Sequence, residues 1–131
     1  RNNTEKVNTM HTIKLKRVYE SAEKTDGYRI LVDRLWPRGI KKEELPYDWW
    51  PKDITPSPDS RKSFGHKAEN FAAFEVEYRA ELEANDFSTE FVDHIRKELE
   101  SQTVTFIYAA KDPKINHVVL LKEWTETQLK K

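Results

Sequence analysis

Cysteine is absent from the 131 residues, which excludes disulfides, thiolate metal sites and a cysteine nucleophile. Only three glycines occur, Gly27, Gly39 and Gly65, so no glycine-rich loop is available to cradle a phosphate chain. No run approaches the ~18 apolar residues of a membrane span, and no secretory h-region is present. These absences lead us to expect a cytoplasmic protein without a membrane partner. HxH, HExxH and G-x-S-x-G patterns are missing too, so neither a zinc site nor a hydrolase nucleophile elbow is expected, and no cofactor is implied. The formal net charge is zero, which removes the overall basic footprint of a nucleic-acid-binding domain.

What is present is a heavily charged chain with a modest apolar share: 35% charged residues and 37% hydrophobic ones. Fifteen aromatic residues (six Phe, five Tyr, four Trp) nonetheless exceed what a disordered chain carries, so a folded domain is expected. The zero net charge hides a segregation. Residues 11–42 hold nine Lys/Arg against four Asp/Glu, whereas residues 69–100 hold three against ten. A local basic surface therefore survives. Residues 1–9 are polar and aperiodic and are read as a leader outside the fold, with a single domain over 10–131. No internal repeat or low-complexity tract is found.

Ile13, Leu15 and Arg17 alternate with Lys14, Lys16 and Val18, the period of a half-buried strand. Asp26-Gly27 signals a turn, and Tyr28–Asp33 follows with an Ile30-Leu31-Val32 centre suited to burial on both faces. The eight residues 20–27 are few for a parallel crossover, so an antiparallel pair is expected there. Five of the six prolines and three of the four tryptophans then crowd into residues 36–58. Prolines rule out regular structure while tryptophans demand packing, which predicts an ordered irregular loop with a short helix at 41–45. Ser57-Pro58 opens a short helix that Gly65 ends. Phe71, Phe74, Tyr78 and Leu82 mark a helix over 69–84, and Phe91, Ile95 and Leu99 a second one opened by Ser88. Thr103–Ala109 is β-branched and aromatic throughout, a strand. Asn116 can cap a last helix carrying Val118, Leu121, Trp124 and Leu129. The expected fold is α/β, a small sheet of three or four mixed strands covered by helices, with a long Pro/Trp-rich loop.

Three constellations could carry chemistry. Asp33-Arg-Leu-Trp-Pro-Arg-Gly39 stands at the carboxyl end of a buried strand, where ligands of α/β sheets sit. Arg34 and Arg38 could grip a phosphate or carboxylate in bidentate fashion. The structural alternative pairs Asp33 with an arginine to staple the loop. Second, Ser57, Arg61 and His66 surround the short helix, whose first N–H groups could hold an anion. For Ser57 taken alone a plain N-cap is the preferred reading. Third, Tyr108–His117 repeats the strand-end logic: Asn116 caps, and His117 lies in the first helical turn, where the dipole favours neutral imidazole. A histidine satisfied within the core is the alternative there. His94 and His11 read as surface residues.

The segments DGYRILVDRLWPRGIKKEEL (26–45), W-P-K-D-x-x-P-S (50–57), RKSFGH (61–66), F-x-x-x-Y-x-x-E-L (74–82) and YAAKDPKINHVVLLKEW (108–124) resemble the YeaO-like group of the bacterial DUF488 family. The resemblance covers nearly everything after Met10 and implies a small cytoplasmic α/β domain, with no reaction attached. Longer relatives carry a cysteine, seven residues and then Cys-His-Arg in the third constellation. Here that stretch has Ala109 and Asn116-His117-Val118, so thiol chemistry does not transfer. A uroporphyrin methyltransferase label borne by some members gains no support from a chain this short with no glycine-rich loops. Ser60 replaces a usual leucine, which predicts looser packing of the short helix.

Together these readings place a small-molecule site at the carboxyl edge of the sheet. Its ligand would be an anion such as a phosphate or nucleotide, and its ligand-binding residues Arg34, Trp36, Arg38, Lys52, Ser57, Arg61 and Asn116. His66 and His117 would be the bases if the domain is a catalyst. The alternative is a non-catalytic module holding nucleic acid or a protein on the basic surface and the Trp-rich loop.

Overall fold

Alternation along the central strand organises the molecule. In the computed structural model, which describes residues 11–131, Val104–Tyr108 forms a strand with every residue buried. The leader reading of residues 1–9 lies outside the described residues. We name Ile13–Arg17 β1, Tyr28–Leu31 β2 and Val104–Tyr108 β3. The sheet order is β1-β3-β2, and both outer strands run parallel to β3.

The expected antiparallel first pair, and with it the mixed sheet, is thereby corrected: β3 lies between β1 and β2, and all three strands point the same way. The physical reason is the shortness of the sheet. Residues 18–27 return to its starting edge with only one 3₁₀ turn, Lys24–Asp26. Ten extended residues reach roughly 33 Å. A five-residue strand is about 17 Å long and two strand spacings about 10 Å, so no helix is needed. Gly27 makes the return possible. It sits at φ +65°, and a Cβ there would lie 2.1 Å from the Thr103 carbonyl oxygen. With hydrogen in its place, Tyr28 N–H reaches that oxygen at 2.8 Å.

Four helices follow: α1 Pro58–Phe64, α2 Phe71–Ala84, α3 Ser88–Leu99 and α4 His117–Leu129. Ser57 caps α1 by accepting from Ser60 N–H at 3.1 Å, and Gly65 closes it in the left-handed conformation. Phe74, Tyr78 and Leu82 of α2, and Phe91, Ile95 and Leu99 of α3, are buried as their spacing requires. They join Ile30, Val32, Val104 and Phe106 in the larger core.

The other face of the sheet is covered by the loop rather than by helices. Leu31 and Ile107 pack there with Val18 and Leu45, flanked by Trp36, Ile40 and Trp50. Trp36 donates to Ile40 O at 2.6 Å, and Trp50 to Asp33 O at 2.7 Å. The short helix expected at 41–45 is a 3₁₀ turn, Lys42–Glu44. Trp49 turns instead to the larger core and stacks on His94 at 4.0 Å. His94, read as a surface residue, is thus half-buried, and it meets the Tyr28 hydroxyl at 2.9 Å. Among the described residues no helix is long and apolar enough to cross a membrane.

Candidate functional site

Parallel strands put all their carboxyl ends on one edge, and there the chain leaves a cleft of about 800 Å³. That lies within the ~300–1,000 Å³ of small-molecule sites. The segment after β2 contributes Asp33, Arg34, Trp36 and Arg38; α1 and its exit contribute Arg61, Lys62 and His66; the turn after β3 contributes Lys111, Asp112 and His117. Phe64, Phe74, Pro56 and Ile115 supply apolar wall.

Five of these side chains are permanent cations, and none has a carboxylate within 4.0 Å among the described residues. Arg34 is held by backbone carbonyls, donating from Nε to Pro56 O at 3.2 Å and from Nη2 to Thr55 O at 3.3 Å. Arg61 has a buried Nε with no hydrogen-bond partner. Arg38 is exposed, and its carbonyl accepts from the Tyr19 hydroxyl at 2.9 Å, which pins the loop. His66 follows Gly65 at φ +58°, in left-handed backbone that a non-glycine residue seldom adopts.

Beside them lies an Asp33–His117 pair. Asp33 Oδ2 accepts from Ala109 N–H at 2.9 Å, and Oδ1 is 3.5 Å from His117 Nε2. His117 Nε2 is 2.7 Å from Val32 O, and since a carbonyl only accepts, Nε2 carries the proton. Burial pushes the His117 pKa down and the Asp33 carboxyl up; their mutual attraction opposes both shifts without reversing either. Neutral imidazole was expected from the helix dipole, but burial is the first cause.

Residues 12–131 match the family described as "Inactive DUF488-N3 subclade". The chain is 46% identical over 112 residues to the uncharacterized protein YeaO of Escherichia coli K12, spanning 86% of this chain and 95% of that protein. The chain belongs to the DUF488 family. This DUF488 chain is also 33% identical over 111 residues to an uncharacterized protein of Mycobacterium tuberculosis H37Rv, spanning 85% and 91% of the two. No solved structure matches it.

Of the residues the sequence marks out, the DUF488 fold brings Arg34, Trp36, Arg38, Arg61, His66 and His117 to one cleft and leaves three outside its lining. Lys52 lies over the Trp50 ring, 4.1 Å from its centroid, a cation–π contact that fastens the loop. Asn116 is a cap with both amide groups engaged: it accepts from Val119 N–H at 2.9 Å and donates to Asp112 O at 2.6 Å. Ser57 is taken up by Glu81, whose carboxylate accepts from Ser57 N–H at 2.9 Å and from the Ser57 and Ser60 hydroxyls at 2.7 and 2.5 Å. The start of α1 thus already holds an anion, one supplied by α2.

Burial alone would raise the Glu81 pKa, but these hydrogen bonds turn the shift downward. Ser60 is buried and bonded through this contact, so the looser packing expected from it is offset by a polar anchor. Glu81→Gln is expected to lower stability by about 1.5–3 kcal/mol, the range for a lost charge-assisted hydrogen bond. Urea denaturation will measure this, and anion affinity should stay unchanged.

Lys62 and Lys111 were not anticipated. A seven-residue helix has too little periodicity to say which side faces a cleft, and Lys111 lies in a turn whose direction depends on sheet topology.

Proposed function

We propose that this domain binds a small anion, a phosphate group or a phosphate-bearing molecule such as a nucleotide, in the cleft at the carboxyl edge of its sheet. The reading is one of binding rather than transformation. The observation that carries it is the convergence of Arg34, Arg38 and Arg61 with no carboxylate partner among the described residues. Guanidinium groups repel one another unless an anion sits among them, and their forked donors match oxyanion geometry.

Several features speak against chemistry at this site. The chain has no thiol, the Ser57 and Ser60 hydroxyls are committed to Glu81, and His117 Nε2 is committed to the Val32 carbonyl. The description of the matched family as inactive agrees with that reading.

Nucleic acid as the partner has less support. Within the basic stretch 11–42, Lys16 and Arg29 are bound to Asp26, and Arg17 to the carbonyls of Ala109 and Ala110. Trp36 and Trp50 are packed against each other, 5.6 Å between centroids, rather than presented as stacking platforms.

Isothermal titration of pyrophosphate into the protein tests the proposal. Saturable binding that weakens as salt rises is the expected result, because exposed charges are screened. Arg38→Ala should weaken it several-fold with no change in melting temperature, since the side chain is exposed and makes no hydrogen bond among the described residues. Absence of binding by both pyrophosphate and inorganic phosphate at low salt would overturn the reading.

A further inference from the structure

The cleft joins two kinds of polar surface that a bare inorganic anion cannot both use. Arg34, Arg38 and Arg61 offer only donors, because a guanidinium has no acceptor. The Asp33–His117 pair offers acceptors. Asp33 Oδ2 is occupied by Ala109 N–H, while Oδ1 receives no hydrogen bond among the described residues; its 3.5 Å separation from His117 Nε2 is too long for a good one. The proton on His117 Nε2 is committed to Val32 O at 2.7 Å, so the ring's lone pair is on Nδ1, which has no partner among the described residues. Both side chains line the cleft and keep some exposure, 16% for Asp33 and 15% for His117. Burial first, with the Arg61 guanidinium beyond it, keeps this imidazole neutral and therefore an acceptor.

A fully ionised phosphate bound to the arginines would face these acceptors with no hydrogen to give them. Leaving a desolvated acceptor unmet forfeits affinity.

We propose that the ligand is an organic anion with hydroxyl or N–H donors close to its anionic group, such as a phosphate monoester of a polyol or of a ribose. Its oxyanion meets the arginines, and a neighbouring hydroxyl donates to Asp33 Oδ1, with His117 Nδ1 beside it as a second acceptor. The inference rests on the anion-binding reading of the same cleft and adds the class of molecule attached to the anion. A volume of about 800 Å³ accommodates such a body, and Phe64, Phe74 and Ile115 give its carbon skeleton apolar wall.

The test compares glycerol 3-phosphate with propyl phosphate by isothermal titration at pH 8. The two share a phosphate monoester and a three-carbon chain and differ in the hydroxyls. Glycerol 3-phosphate should bind the wild type at least about tenfold more tightly, the effect of one hydrogen bond to a charged acceptor. Asp33→Asn keeps an oxygen for Ala109 N–H but replaces the free acceptor with a donor. It should bind propyl phosphate as well as the wild type or better, because a negative charge has gone, and lose most of its preference for the hydroxylated ester. If Asp33→Asn does not fold, the wild-type ratio alone decides. Equal affinity of the wild type for the two esters would overturn the inference and leave the anion reading standing. No binding of either ester, together with none of pyrophosphate or inorganic phosphate, would overturn both.

Discussion

Asp26→Asn is expected to lower the unfolding free energy by about 3–5 kcal/mol, the cost of breaking a buried ion pair by removing one partner. The Asp26 side chain is fully buried, and its carboxylate receives Lys16 Nζ at 2.8 Å, Arg29 Nη1 at 2.6 Å and Glu23 N–H at 3.0 Å. Lys16 and Arg29 are themselves almost wholly buried, and Arg29 Nη2 already lacks a partner. Neutralising Asp26 takes the carboxylate from between two buried cations on the loop side of the sheet: of carboxylates, Lys16 keeps only Glu23, at 2.8 Å, and Arg29 keeps none among the described residues. Changing all three to apolar residues of similar volume should cost far less, because no charge would then be stranded.

The same residue sets an acid limit. Burial alone would raise the Asp26 carboxyl, but the hydrogen bonds from Lys16, Glu23 N–H and Arg29 bring its pKa down to about 2, from an ordinary 3.8. A folded-state pKa below the unfolded one stabilises above pH 3.8, and that contribution fades as pH falls toward about 2. Urea denaturation of wild type and Asp26→Asn should therefore show a wide gap at pH 7 that narrows across this window. A gap under about 1 kcal/mol at pH 7 would mean that solvent, rather than Asp26, satisfies the two cations.

That network also shows how far the sequence could be read. Asp26-Gly27 signals a turn, and the turn is there. Nothing in the spacing tells that Asp26 points into the sheet face between Lys16 and Arg29, because that depends on which strands flank β3. Period two in Ile13–Arg17, the β-branched and aromatic run Val104–Tyr108 and the 3.6 period in α2 and α3 are local signals, and local packing enforced them. Strand order is not local. The antiparallel expectation applied a crossover length suited to helices to a sheet short enough for an extended return. Among the site residues, Arg34, Arg38 and His117 were legible because strand ends of α/β folds face ligands. Ser57 and Asn116 look the same in sequence whether a helix start binds a ligand or its own protein. Glu81, 24 residues beyond Ser57 and within an acidic run that reads as a solvated face, decided the matter for Ser57.

Arg61→Ala should weaken pyrophosphate binding by about tenfold to a hundredfold, since charge-assisted hydrogen bonds contribute about 1.5–3 kcal/mol each. Its stability cost should be small, because the Arg61 side chain makes no hydrogen bond among the described residues and its removal eliminates a buried N–H without a partner there. Arg34→Ala should weaken binding to a similar degree yet also lower stability by about 1 kcal/mol, since its bonds to Thr55 O and Pro56 O would be lost. Those carbonyls hold Arg34 in place before the ligand arrives, which reduces the ordering that binding requires. Both guanidinium groups would touch one anion, so the double variant should lose less than the sum of the single losses, and a double-mutant cycle reads the coupling directly. Arg61→Lys separates charge from geometry. If the forked donors matter, lysine recovers only a small part of the affinity lost in Arg61→Ala. If instead Arg61→Ala unfolds more than 2 kcal/mol more easily and binds pyrophosphate as the wild type does, Arg61 is a structural cation with no part in holding the anion.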